Sequence, residues 1–294
     1  MCLICSTPLK KLLKFEVINC CSGLTTIPAT LVKLITLNCS HCLLLINIPS
    51  TLVKLRTLCC SNCPLLTTIP STLVNLTTLD CYKCPLLTTI PSNLVNLQTL
   101  DCCICPLLTT IPLTLINLQT LYCYECPRLT TVPSTMINLQ TLKCRRCLLL
   151  TTIPSTLVNL QTLSCFECPL LTTIPSTLVN LKILYCYKCP ILTTIPSTLI
   201  QLETLDCSDC HLLTTIPSTL ISLYVLTYDS CPYLYIPFVI EQNCEIEVNN
   251  KPAIFASKLR QLCHKIQRRR MTSFLNNENT IPCVLNQLVT SYLF

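Results

Sequence analysis

The sequence predicts an α/β repeat: a solenoid of about eleven coils of 21 residues, with a parallel sheet on its concave face, extended or 3₁₀ segments on its convex side, and a small helical C-terminal tail. Three observations carry that expectation. Prolines stand at 28, 49, 70, 91, 112, 133, 154, 175, 196 and 217, a constant interval of 21, and a fixed period of this length marks stacked supersecondary units. Within each unit Leu and Cys alternate with polar residues over a few positions, the period of a strand with one buried face. The chain is also 51% apolar and only 11% charged, an excess that a continuous core has to absorb.

The repeating unit is typified by Leu76-x-x-Leu79-x-Cys81-x-x-Cys84-Pro85-Leu86-Leu87-Thr88-Thr89-Ile90-Pro91. Leu79 and Cys81 alternate with Thr78, Asp80 and Tyr82, so a short strand should point Leu and Cys inward and the others outward. One strand per coil, with neighbours about 4.8 Å apart, makes a parallel ribbon on the order of 50 Å long. Twenty-one residues leave no room for a long helix opposite the strand, and Ile90-Pro91 fixes φ and removes a backbone donor. The following Ser92 to Leu97 segment can form one helical turn, with Pro91 near its start. Gly23 is the only glycine, so the turns must rely on Pro, Asn, Ser and Thr.

The pattern LxxLxCxxC resembles the leucine-rich-repeat signature LxxLxLxxN/C, with Cys replacing the third Leu and also filling the Asn/Cys position. The likeness covers about residues 24 to 238. The near-verbatim LTTIPSTLVNLQTL units also resemble the repeat proteins of giant amoeba-infecting viruses, of the Mimivirus kind. The first resemblance implies a binding scaffold that takes another protein on its concave face. The second implies a viral factor that meets a host protein. At the N-terminus, MCLICSTPLKKLLKF places an apolar patch before its lysines, the reverse of a secretory signal peptide, so the expected location is the host cell cytoplasm.

Solenoid ends need caps, and both ends depart from the repeat. Residues 1 to 23 keep Leu13, Ile18 and Cys21 in phase but place Glu16 where Leu belongs, and are read as a capping segment or degenerate first coil. The solenoid is assigned to 24 to 238; its last coil has Tyr228 in place of Cys, and Pro237 arrives after 20 residues. Residues 239 to 294 are read as a separate tail. In it Leu259, Leu262, Cys263 and Ile266 fall at amphipathic-helix spacing over 256 to 270, ending in Arg268, Arg269 and Arg270. A weaker helix is expected from Val284 to Leu293.

Twenty of the 28 cysteines form two columns, one from Cys39 to Cys207 and one from Cys21 to Cys231, each at intervals of 21. Two C-x-x-C pairs have the ligand number for zinc, but each pair here belongs to a strand whose other inward position is Leu. Buried structural thiols are the expectation, with the second column donating S–H bonds to the turn backbone. Cys59 and Cys103, outside the columns, should face solvent. No metal and no cofactor are expected.

Neither a phosphate-binding glycine loop, nor HExxH, nor GxSxG occurs. His41 and His211 stand eight coils apart, and a Cys210–His211 nucleophilic pair lacks a supporting motif. The reading is therefore no enzyme, no catalytic residues and no small-molecule substrate. A net charge of +7, scattered through the repeats, gives no pointer to nucleic acid, and no apolar run is long enough for a membrane span. A monomer is expected.

Variation marks the candidate site. Inward positions barely change, whereas the outward positions differ from coil to coil, as on a binding surface. The predicted protein-binding residues are Tyr82, Lys83, Tyr122, Tyr124, Glu125, Lys143, Arg145, Arg146, Phe166, Glu167, Tyr185, Tyr187 and Lys188. Tyr and Arg are the residue types that dominate interface hot spots. Competing readings are a structural or drifting repeat array without a fixed partner, and a substrate adaptor for ubiquitination whose tail recruits machinery.

Overall fold

A computed structural model describes residue 4 and residues 8–247. The two helices and the arginine run expected in the tail lie outside the described residues. Twelve strands of three residues pair in sequence order into one parallel sheet. They run from β1 (Val17–Asn19) through β4 (Thr78–Asp80), β6 (Thr120–Tyr122) and β9 (Ile183–Tyr185) to β11 (Val225–Thr227) and β12 (Glu245–Glu247). The register is constant: Leu79 pairs with Leu58 on one side and Leu100 on the other.

Each coil buries every third residue for most of its length. Leu73, Leu76, Leu79, Cys81, Cys84, Leu87 and Ile90 are all 4% exposed or less. That near-threefold repeat is the reason the chain can wind without a helix. In the coil after β4 a turn closes from Leu87 N to Cys84 O at 3.1 Å, a second from Leu94 N to Pro91 O at 3.4 Å, and a third from Leu97 N to Leu94 O at 3.1 Å. No helix forms between β1 and β11, so the helical turn expected over Ser92 to Leu97 is replaced by two successive reverse turns. Their outward polar side chains tie one coil to the next. Thr72 Oγ1 donates to Ser50 O at 2.6 Å, and Asn75 Nδ2 to Val53 O at 2.9 Å. These rows satisfy carbonyls that the turns leave unpaired.

The cysteine columns stack inside the sheet edge as thiols. Cys84 Sγ donates to Cys60 O at 3.2 Å in the preceding coil, and Cys81 Sγ donates to Asp101 O at 3.2 Å in the next. The S–H groups thus take the place of an amide ladder, as the spacing predicts. Among the described residues no three of His, Cys, Asp and Glu are arranged to hold a metal ion.

The ends differ from expectation in two details. At the N-terminus a short helix, α1 (Leu9–Leu12), buries Leu12 and leaves Leu13 38% exposed. At the other end the sheet does not stop at 238: α2 (Phe238–Asn243) replaces the turns of the last coil, and β12 then pairs with β11 through Ile246 opposite Leu226. Ile240 is the buried anchor of α2. The parallel sheet therefore continues beyond 238 to Glu247. No described helix is long and apolar enough to cross a membrane.

Candidate functional site

The thirteen predicted residues fall in three adjacent columns at the C-terminal edge of the sheet, though not all on strands. Tyr122, Lys143 and Tyr185 occupy the third strand position of β6, β7 (Thr141–Lys143) and β9. Tyr82, Tyr124, Arg145, Phe166 and Tyr187 sit two residues later, and Lys83, Glu125, Arg146, Glu167 and Lys188 three residues later, in the turn that leaves the strand. Strands of three residues end before these positions are reached.

The turn has a fixed geometry. Its second residue is left-handed in ten successive coils, with φ between 53° and 61° and no glycine at any of them. Nine of the ten, from His41 to Asp209, are held by their own N–H; Lys83 N donates to Cys103 O at 2.8 Å, and Arg146 N to Phe166 O at 3.0 Å. In four coils the third strand position closes the turn with its side chain. Asp80 Oδ1 accepts from Tyr82 N at 3.0 Å, Asp101 Oδ1 from Cys103 N at 3.0 Å and Asp206 Oδ1 from Ser208 N at 3.1 Å; Asn38 does the same for Ser40. The aspartates are turn-formers, in the manner of Asx-turns. From 122 to 185 the position carries Tyr, Lys, Ser and Tyr instead.

The first turn column is a continuous stack. Phe166 and Tyr187 lie parallel with centroids 4.1 Å apart. The Arg145 guanidinium is placed 4.2 Å from the centroid of Tyr124 and 5.4 Å from that of Phe166. Tyr82 and Tyr124 belong to coils two apart, yet their centroids are 6.3 Å apart, so the rings lean together over Cys103 between them. Cys103 is consequently 0% exposed and not the solvent-facing thiol expected. Burial, and then the Asp101 carboxylate, pushes its pKa up. Burial also pushes the Tyr124 phenol up to about 12 and raises that of Tyr187. Beside the stack, Lys143 Nζ stands 4.9 Å over the Tyr122 ring.

The second turn column is a ladder of alternating charge. Arg146 Nη1 donates to Glu125 Oε1 at 3.1 Å and its Nε to Glu167 Oε2; Lys188 Nζ donates to Glu167 Oε1 at 3.2 Å. The Arg146 bond holds the Glu167 carboxyl below its ordinary range. These side chains face solvent but are already partnered with one another. A feature the sequence reading did not pick out is the groove beside this ladder. One wall is Ile104, Glu125, Arg146, Glu167 and Lys188, and the other is the proline column Pro106, Pro127, Pro169 and Pro190. The Pro that follows seven of the eleven second-column cysteines was its signal.

The structure separates Cys210 from His211. Cys210 is buried, with Sγ on Cys186 O at 3.1 Å, whereas the exposed His211 ring places Nδ1 3.0 Å from Ser230 O.

An all-parallel, one-strand-per-coil sheet wound from 21-residue coils defines a solenoid of the leucine-rich-repeat architecture. Residues 54–76, 75–97 and 201–223 match the family model described as Leucine Rich Repeat. Among solved structures, the chain is similar to YopM, a leucine-rich effector protein from Yersinia pestis. The identity is 19%, with 74% of this chain and 66% of that one covered and a TM-score of 0.56. It is also similar to the functional domain of InlJ from Listeria monocytogenes, described as including a cysteine ladder: 22% identity, 83% and 66% covered, TM-score 0.52. A leucine-rich-repeat protein of Leptospira interrogans matches at 21% identity over 78% and 72%, TM-score 0.51. The chain spans about two thirds of the YopM and InlJ structures it resembles. Identities this low establish the fold alone. Comparison with the curated proteins gives no match.

Proposed function

We propose that this chain is a non-catalytic scaffold that binds another protein along the edge formed by the three columns. The observation that carries the reading is the stack running from Tyr82 through Tyr124, Arg145 and Phe166 to Tyr187. Large rings and a guanidinium, immobilised before any partner arrives, lose little side-chain entropy on binding, which is how rigid aromatic anchors contribute to affinity. Tyr122 and Tyr185, the latter 37% exposed, add contact area on the strand side. Leucine-rich-repeat proteins bind other proteins and are typically non-catalytic. A viral origin and a host protein as target are part of the same proposal and rest on the near-verbatim repeats.

The test compares the full chain with a variant carrying Tyr122→Ala, Tyr124→Ala, Arg145→Ala, Arg146→Ala, Tyr185→Ala and Tyr187→Ala, both immobilised and exposed to amoebal lysate. Circular dichroism establishes that both are folded. A protein retained by the parent and absent from the variant supports the reading. Identical captures, or none, overturn it in favour of an array without a fixed partner.

A further inference from the structure

The surface opposite the charged edge carries an unbroken aliphatic stripe. One β-branched residue per coil, from Val32 to Ile221, lies outward in ten successive coils, each between 39% and 68% exposed. Nothing in the core needs these side chains, since Leu73 and Leu76 on either side of Val74 are already fully buried. Contiguous exposed apolar surface on this scale marks an interaction site.

We propose that the stripe is a homodimer interface, covered by the same stripe of a second copy of this chain. Three features favour that occupant. The first is charge. Between residues 57 and 181 every Asp, Glu, Lys and Arg except Arg128 falls in the 80-to-83 segment of its coil or the equivalent segment of another, so the central coils of the stripe, from Val74 to Val179, are flanked by neutral residues and meet a second copy without repulsion; Lys33 and Lys54 flank only its first two coils. An acidic membrane or a polyanion finds no cation along those central coils to attract it, and no aromatic belt accompanies them.

The second feature is the state of the flanking polar groups. Thr72 and Asn75, on either side of Val74, have their donors already satisfied by carbonyls of the preceding coil, and so do Thr114 and Asn117 around Ile116. Covering them strips little from water that is not already bonded. The third is spacing. The knobs recur at about the 4.8 Å strand interval, and a surface whose own knobs recur at that interval interdigitates along the whole stripe. A second copy supplies it in every coil. Ten coils by about five residues of chain is on the order of 800 Å² per partner, the area a stable dimer buries on each side. A two-fold axis at the middle of the stripe sets Ile116 of one copy against Ile137 of the other, as an isologous interface requires.

Sedimentation velocity on the full chain, over a range of concentrations, reads the association directly. Wild type is expected to sediment as a concentration-dependent dimer. Ile116→Glu/Ile137→Glu and Ile116→Lys/Ile137→Lys variants should be monomers with unchanged circular dichroism, because both positions are about half exposed. An equimolar mixture of the two variants should recover a heterodimer. The proposal is overturned by a wild type that stays monomeric at the highest concentration reached. Glu variants that still dimerise, or a mixture that stays monomeric, overturn it equally. A wild type that is monomeric but binds neutral vesicles assigns the stripe to lipid instead. None of these residues belongs to the aromatic edge, so the outcome is independent of the partner-capture experiment.

Discussion

The guanidinium carbon of Arg145 stands 4.2 Å from the ring centroid of Tyr124, one coil away in sequence. With Phe166 on its other side, the arginine is held by ring faces. Its Nε is buried without a hydrogen-bond partner, and Glu125 is 4.0 Å from Nη2. Stacking of this kind contributes about 0.5–1 kcal/mol at partly exposed sites. A double-mutant cycle of Arg145→Ala and Tyr124→Ala, followed by urea denaturation, should return a coupling energy of that size. Additive single mutants would mean that the stack is a contact without energetic consequence. Arg145→Lys should recover little, because an ammonium cannot lie flat between two rings.

The neighbouring charge ladder predicts the opposite kind of result. Glu125, Arg146, Glu167 and Lys188 are linked by hydrogen-bonded ion pairs at the surface, where such pairs contribute little and are screened by salt. Arg146→Ala should therefore barely move the denaturation midpoint. It should, however, move Glu167. That carboxyl is lowered first by its hydrogen bond to Arg146 and then supported by Lys188. A lowered folded pKa contributes stability above the ordinary carboxylate value of 4.5 that is lost as pH falls below it. A titration of the Glu167 side chain by NMR should show its midpoint rise in the Arg146→Ala variant. An unchanged midpoint would place the cause elsewhere.

How far the fold was legible follows from where its information sits. The core is written as seven inward positions per coil that hold Leu, Ile or Cys with few exceptions such as Val132 and Met136, so the 21-residue period exposed the solenoid, the strand and both thiol columns. Which side chains answer one another was not legible, because partners such as Tyr82 and Tyr124 are 42 positions apart and meet only when a small Cys103 lets two rings close over it. The end of the sheet was hidden for a related reason. Glu245–Glu247 keeps one inward residue, Ile246, but α2 replaces the turn segment that carried the repeat's signature. The extra cap on the aspartates was missed because Asp80 reads as an outward strand residue whether it faces solvent or the next backbone N–H.

Ile104 offers a test of backbone strain. It is a β-branched residue at φ 54°, where its counterparts in other coils include Asn62, Asp209 and Ser230. The left-handed region costs an L-residue about 1–2 kcal/mol, less for Asn and Asp. Ile104→Asn should thus raise the stability of the folded chain by about 1 kcal/mol, read as a higher urea midpoint, while Ile104→Val should not. The bond from residue 104 N to Tyr124 O at 2.9 Å keeps the turn in place in both variants. A lower midpoint for the Asn variant would show that the groove wall contributed by Ile104 outweighs the strain.

Alkaline pH should act on the thiol columns. All nine first-column thiols, from Cys39 to Cys207, are pushed above the ordinary value of 9.0, first by the hydrogen bond to the facing second-column thiol and then by burial. An acid whose folded pKa is raised keeps its proton in the native state while the unfolded chain gives it up. Its contribution is therefore complete below about pH 9 and declines as pH rises past that value. Each retained proton steepens the decline by about 1.4 kcal/mol per pH unit, and nine coils share the same chemistry. The second-column thiols Cys63, Cys84, Cys126, Cys189 and Cys231 are lowered by the same bond and add stability as pH approaches 9, so urea midpoints measured in reductant should hold or rise up to about pH 9 and fall above it. Cys81→Ala/Cys102→Ala/Cys123→Ala removes three of the thiols and should make that fall shallower, even though its cavities lower the midpoint at neutral pH. The comparison is one of slopes, so the cavity cost cancels: equal slopes in parent and variant would show that the columns ionise in the folded state and that alkaline sensitivity comes from another group.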